Sequence, residues 1–322
     1  MDIKLNKRLL LAILFSLGFM VFLLMRLDWK HFSLIAGRLN IKDLIAAYSV
    51  FILGNLIRSV RFYRLDNMDK KLMHWWNINA FYNFVTSTLP GGAGEAATAY
   101  ALKRYSKLDI LGAFRILLIS RLLDIFAISA LFFISALLIT GVTTYRETAL
   151  WISGVLLLFS LFALIPASEQ FVMKLLKKLP GNSAIIRKVS EKLSELLKVS
   201  EEQRSNNSYA ITLLQSVLMM IAGIISIHLA LRAFGVDFTL VQSFYCYGIY
   251  AVFQVIPVQG IAGIGTQAAW WALALNAAGY QSHDAIAMGF ILHGAFYLII
   301  IFMGLFSLLF WLKGRGRGDF SC

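Results

Sequence analysis

Cysteine is nearly absent from this sequence. Cys246 and Cys322 stand far apart, which excludes a disulfide framework and a cysteine-based metal site. Acidic residues are few, 17 against 30 Lys and Arg, and they form no Asp-rich cluster. Glu95, Asp124 and Asp66 have no spacing that suits a metal. The sequence also lacks H-E-x-x-H, G-x-S-x-G and a G-x-x-x-x-G-K-[ST] phosphate loop. A transferase acting inside a membrane usually needs more carboxylates or histidines than these apolar stretches offer. No catalytic residue is therefore assigned, and no cofactor is expected.

What fills the chain is apolar. Of 322 residues, 59% are hydrophobic and the mean hydropathy is +0.73, above the roughly 45–50% apolar content of soluble domains. Several runs reach the ~17–25 residues that span a bilayer. Membrane helices are expected near 9–25, 43–64, 110–140, 148–167, 209–233 and 285–312. The run 9–25 is read as a retained helix, because no small-residue cleavage site follows it. The net charge of +13 would suggest nucleic acid in a soluble protein. In this composition it reads as basic loops facing anionic lipid, and no nucleic-acid partner is expected.

Proline and glycine are concentrated where they interrupt apolar runs. In 75–102 the stretch "STLPGGAGEAATAYALKRY" places Pro90, Gly92, Gly94 and Glu95 in sequence. In 241–279 "FQVIPVQGIAGIGTQAAWWALAL" places Pro257, Gly263, Gly265 and Gln267 similarly. Proline ends a helix by removing an N–H and clashing with the preceding turn, and glycine permits the tight turn that follows. Non-helical backbone at membrane depth is tolerated only within protein or beside a watery cavity. Two re-entrant hairpins are expected, one in each half of an inverted repeat. The arrangement is a single polytopic domain over 1–322: first repeat about 43–140 with hairpin 75–102, second about 209–312 with hairpin 241–279. Between them, 169–208 reads as an amphipathic pair of helices on the cytoplasmic surface.

The distribution of positive charge gives the orientation. With the N-terminus, loops 58–74, 103–107 and 169–208, and the tail 313–322 inside, 22 Lys/Arg lie inside and 6 outside. The protein is thus expected to be multi-pass in the cell (inner) membrane with both termini cytoplasmic.

Charges within the spans need a partner or a task. Arg121 and Asp124, three apart on one helix, are expected to pair. Arg58 and Arg61 share a face and form a fork suited to a lipid phosphate, or anchor the helix at the inner interface. Asn83 opens the first broken stretch and joins the candidate site. Arg115 is read as snorkelling to the interface, and His228 and His293 as satisfied core residues. Trp75, Trp76, Trp270 and Trp271 are read as interface-belt residues.

In order, "IRSVRFYRL", "NFVTSTLPGGAGEAATAYALKRY", "ISRLLDIFA" and "VIPVQGIAGIGTQAAWWALAL" resemble the flippase-like membrane domain of lysylphosphatidylglycerol synthases, over about residues 5–312. The resemblance implies movement of an aminoacylated phospholipid between leaflets. In two-domain relatives a separate cytoplasmic domain performs the lysyl transfer; no stretch here reads as that domain, so that activity is not expected. Two departures stand out. Relatives often carry a glutamate after the second set of glycines, where this sequence has Thr266, Gln267 and Ala268. They often carry another before the arginine of R-x-x-D, where this sequence has Ser120.

The expected fold is all-α and membrane-integral, with about six full transmembrane helices and two re-entrant hairpins. The expected function is transport of an anionic or aminoacylated phospholipid, or a polyprenyl-phosphate-linked lipid, between leaflets. The alternatives are a non-transporting partner of a lipid-modifying enzyme and a membrane-embedded transferase using a lipid-linked donor.

Overall fold

The computed structural model describes residues 25, 28–66, 71–89, 93–106, 110–141, 145–164, 208–254, 261–263, 265–280 and 282–315. The expected helix 9–25 and segment 169–208 fall outside them, apart from their end residues. The described residues form ten α-helices and no strand. They are α1 (Trp29–Gly37), α2 (Ile41–Asp66), α3 (Leu72–Thr88), α4 (Ala93–Ser106) and α5 (Ile110–Leu138). They continue with α6 (Arg146–Leu164), α7 (Ser208–Ala233), α8 (Leu240–Gln254), α9 (Thr266–Ala277) and α10 (Ser282–Arg315). A single 3₁₀ turn, Ile261–Gly263, lies between α8 and α9.

Five of these helices contain stretches long and apolar enough to cross a membrane: Ile41–Leu65, Ile116–Leu138, Arg146–Leu164, Ala210–Ala233 and Asp284–Phe310. They coincide with five of the six runs expected from hydropathy. The other two apolar regions are each split into two shorter helices. Leu89 ends α3 with extended backbone (φ −87°, ψ 139°). That is the conformation a following proline imposes, since its ring disfavours α geometry in the residue before it. α4 packs on α3. They approach closely at Gly94, where a Cβ would lie 2.5 Å from Thr86 Cα. In the second region Ala262 (φ 55°), Gly263 (φ 62°) and Gly265 (φ 85°) take left-handed backbone around the 3₁₀ turn. At Gly263 a Cβ would also sit 2.4 Å from Gln267 Cγ, so a larger residue there would be strained and would displace the Gln267 side chain.

The helix partners are exchanged between the halves. α2 packs on α7, α3 packs on α10, and α8 packs on α5. Each short first helix of a broken pair therefore lies against the long last helix of the other half. Backbone-directed bonds tie the halves together: Tyr48 donates to the Ala295 carbonyl (2.9 Å), Ser226 to Ala47 (2.7 Å) and Ser307 to Asn77 (2.8 Å). Small and hydroxylated residues at such contacts let helices approach closely in lipid.

The outside is apolar and the inside holds the polar groups. Trp151, Val155, Leu158 and Phe159 of α6 and Leu298, Phe302 and Leu309 of α10 are exposed, whereas Asn55, Ser59, Arg61, Asn79 and Asp124 are buried. This inverted distribution belongs to an integral membrane protein, in which lipid solvates the apolar face. One expectation is corrected here. Trp75, Trp270 and Trp271 are buried, at 0%, 9% and 4% exposure, and Trp76 is half-buried, so they do not form an interface belt. Trp75 belongs to a buried cluster with Phe62, Ile78 and Leu102, so protein rather than headgroups surrounds its ring.

Candidate functional site

The helical period of α2 brings Asn55, Arg58, Ser59, Arg61 and Phe62 to the interior side of one helix. Arg61 is 1% exposed, a burial that a guanidinium tolerates only with charge and hydrogen-bond partners. Both are present. Its Nη1 donates to Asp124 Oδ1 of α5 in a very short bond and to Ser216 Oγ of α7 at 2.7 Å, while Nη2 donates to Asp124 Oδ2 at 3.3 Å. Three helices are thereby pinned at one point, and the bidentate geometry is the strong form of such a pair.

Arg58 lies one turn earlier. It donates from Nη1 to Asn83 Oδ1 (3.1 Å) and from Nε to the Met219 sulfur (3.1 Å), and its Nη2 is 3.9 Å from Asp124 Oδ2. Asn83 in turn donates to Asn55 Oδ1, which also accepts from Asn79 at 3.1 Å. The amide network couples α3 to α2 directly behind the arginines. Tyr82, from the same turn of α3, carries two guanidinium groups on its ring: Arg58 at 5.7 Å and Arg121 at 5.6 Å from the centroid. These distances fall within the range of cation–π attraction.

A small pocket opens among these groups. It is lined by Arg58, Arg61, Phe62, Tyr82, Leu117, Ser120, Arg121 and Asp124. Three guanidiniums face one carboxylate there. Two lining groups, Arg61 Nε and Ser120 Oγ, are buried with no hydrogen-bond partner among the described residues. Buried polar atoms are normally satisfied, so these two stand out within the pocket lining.

The expected Arg121–Asp124 pair is corrected by this geometry. Asp124 is held by Arg61, with Arg58 close by, while Arg121 lies over Tyr82. A carboxylate that joins α5 to α2 ties two helices, which a pair three residues apart on one helix cannot do. Arg61, expected as half of a phosphate fork, has both terminal nitrogens committed to Asp124 and Ser216, and Arg58 is the more open member. Pro90, Gly92 and Pro257 lie outside the described residues. Glu95 falls in the first turn of α4, and its side chain is likewise outside them.

A second polar group belongs to the other half. Gln267, 5% exposed at the start of α9, accepts through Oε1 from Tyr250 (2.6 Å) and from Gln254 Nε2. Tyr250 stacks on Trp271 at 3.8 Å and 13°. Tyr247 lies 6.1 Å from Tyr250 between ring centroids. His293 joins the two breaks: its Nε2 contacts the Ala262 carbonyl at 3.0 Å, its ring stacks on Tyr297, and the Tyr297 hydroxyl meets Thr88 Oγ1 at 3.2 Å.

Sequence reasoning missed Asn55, Asn79, Tyr82 and Ser216. Asn79 and Asn83 had a usable signal, since two amides four apart in an apolar stretch share a helix face. Ser216 and Tyr82 had none, because nothing in their neighbourhoods distinguishes them from packing residues.

The family model described as "Lysylphosphatidylglycerol synthase TM region" matches residues 9–304, almost the whole chain. No curated protein and no solved structure matches. The chain belongs to that membrane-domain family, and membership gives it a membrane-lipid-related role.

Proposed function

We propose that this member of the lysylphosphatidylglycerol synthase membrane-domain family moves a phosphate-bearing lipid between leaflets of the cell membrane. One observation carries the reading: a small pocket between α2, α3 and α5 lined by Arg58, Arg61, Arg121 and the carboxylate of Asp124, where Arg61 Nε and Ser120 Oγ have no hydrogen-bond partner among the described residues. Guanidinium geometry suits phosphate oxygens, and an intramembrane charge cluster of this kind marks a substrate pathway more often than a fold element. The acyl chains stay in lipid while the phosphate passes the Arg58 and Arg121 side of the pocket.

The two broken segments are read as re-entrant hairpins of inverted repeats, the first within 43–140 and the second within 209–312. The exchanged packing of α3 on α10 and α8 on α5 supports this, because a pseudo-two-fold relation between halves requires such reciprocity. Both termini are cytoplasmic in this reading.

The direct test uses purified protein in vesicles containing fluorescent phosphatidylglycerol, with an external quencher that reaches only the outer leaflet. Wild-type protein exposes inner-leaflet lipid to the quencher, and Arg58→Gln does so much more slowly. Equal rates for wild type, Arg58→Gln and protein-free vesicles would sink the transport reading.

A further inference from the structure

Resting on the phosphate-lipid reading of the pocket, we propose that Tyr82 is a positioning residue. Its ring holds the guanidiniums of Arg58 and Arg121 as an anion-binding pair and thereby sets the affinity for the lipid phosphate. Two like charges drawn to one small pocket repel one another, so a third group has to hold them there. Tyr82 stands at that place. Its ring centroid lies 5.7 Å from the Arg58 guanidinium carbon and 5.6 Å from that of Arg121, and all three residues line the pocket.

An aromatic face attracts a cation through its quadrupole and adds no net charge. A carboxylate in the same place would hold the arginines but compete with the phosphate for them. Stacking on a ring and donating to oxygen use different parts of a guanidinium, its face and its N–H edge, so the two contacts can coexist. The ring is itself fixed. Tyr82 is 6% exposed and meets Phe62 edge to face at 6.3 Å and 86°. It belongs to the buried cluster of Trp75, Ile78 and Leu102. The next residue on α3, Asn83, accepts from Arg58 Nη1 at 3.1 Å. Consecutive side chains of one helix thus hold the same guanidinium by two kinds of contact. Arg58 comes from α2 and Arg121 from α5, so a shift of α3 displaces both cations together. Packing alone would be met by a ring of any electronic character, whereas holding cations requires an electron-rich one. That difference is measurable.

The test titrates the full-length protein, in phosphatidylcholine nanodiscs, with phosphatidylglycerol, reading occupancy by native mass spectrometry. Position 82 is varied as Tyr82→Phe and then as mono-, di- and trifluorinated phenylalanine. These nearly keep the size of the ring while draining its face of electron density. Phosphatidylglycerol affinity should fall stepwise from Tyr82→Phe along the fluorinated series, roughly three- to tenfold in all, the scale of such contacts. The slope should flatten in an Arg58→Gln background, where one of the two cations on the ring is gone. Tyr82→Leu should bind as weakly as the trifluorinated protein. Enrichment of phosphatidylglycerol over phosphatidylcholine by the wild type, with no trend along the series, would overturn the proposal, leaving the lipid site standing and Tyr82 as packing. If neither wild type nor Arg58→Gln enriches phosphatidylglycerol, the lipid site is misassigned and the role of Tyr82 falls with it.

Discussion

Arg58 donates to the Asn83 side chain at 3.1 Å, bridging α2 to α3 through a partner that takes its hydrogen bond without cancelling its charge. Arg58 is only 3.9 Å from Asp124 at its nearest approach, and shares that carboxylate with Arg61, so it keeps more of its attraction for an anion than Arg61, which holds Asp124 in direct hydrogen bonds. The two arginines, three residues apart, therefore answer differently to substitution.

Arg58→Gln should insert and fold but lose most phosphate-lipid binding. Arg58→Lys should fall between it and wild type, because the charge remains while the fork that reaches Asn83 and Met219 together is lost. Lipid co-purification measured by mass spectrometry gives the ranking. Equal lipid occupancy in all three proteins would reduce Arg58 to an anchor.

Asp124→Asn leaves the buried Arg61 without its counter-charge and should destabilise by about 3–5 kcal/mol. The double variant Arg61→Met with Asp124→Leu should recover most of that stability while translocating no lipid. Thermal unfolding in detergent and the vesicle assay together decide it; a double variant that still translocates would make the pair purely structural.

Gly94→Ala forces a Cβ to 2.5 Å from Thr86 Cα and should cost about 1–3 kcal/mol, since backbone rather than a movable side chain stands in the way. Gly37→Ala, with open space around its position, should be near neutral. Similar melting temperatures for the two variants would contradict the close α3–α4 approach.

Glu95 occupies the first turn of α4, where a carboxylate gains about 0.3–1 kcal/mol from the helix N-terminus. If capping were its only role, Glu95→Gln would translocate normally. The expected result is a stably inserted protein with translocation lost, and Glu95→Asp intermediate, measured in the same vesicles.

Orientation is testable by cysteine labelling in a Cys322→Ser background, where the remaining Cys246 is fully buried. Thr144→Cys and Ser282→Cys should react with an impermeant reagent from outside, and Ser194→Cys should not. External labelling at Ser194→Cys would invert the second half and remove the re-entrant reading of 75–102.

The spans were legible because lipid imposes length and apolarity residue by residue, so Ile116–Leu138 and Asp284–Phe310 announce themselves. The breaks were legible because proline and glycine act on their immediate neighbours, as the extended Leu89 shows. The wiring of the charges was not. Periodicity ranks neighbours on one helix, and it offered Arg121 to Asp124; the actual partner came from another helix, 63 residues away. The tryptophan pairs misled for a related reason. Adjacent aromatics near the end of an apolar segment look alike whether lipid headgroups or protein surround them, and only the packing of Trp75 against Phe62 and Leu102 distinguishes the two.

That separation of 63 residues also sets a clock on biosynthesis. At about 5–20 residues per second, Asp124 leaves the ribosome roughly 3–13 seconds after Arg61. Ser216, 155 residues from Arg61, follows later still. During that interval α2 carries a guanidinium whose burial in hydrocarbon is strongly unfavourable without a counter-charge. Until then the guanidinium, five residues from the end of α2, is best placed by snorkelling to the interface. Burial of Arg61 waits for α5, so a ribosome stalled between the two would leave α2 with its guanidinium at the interface rather than at its final, buried position.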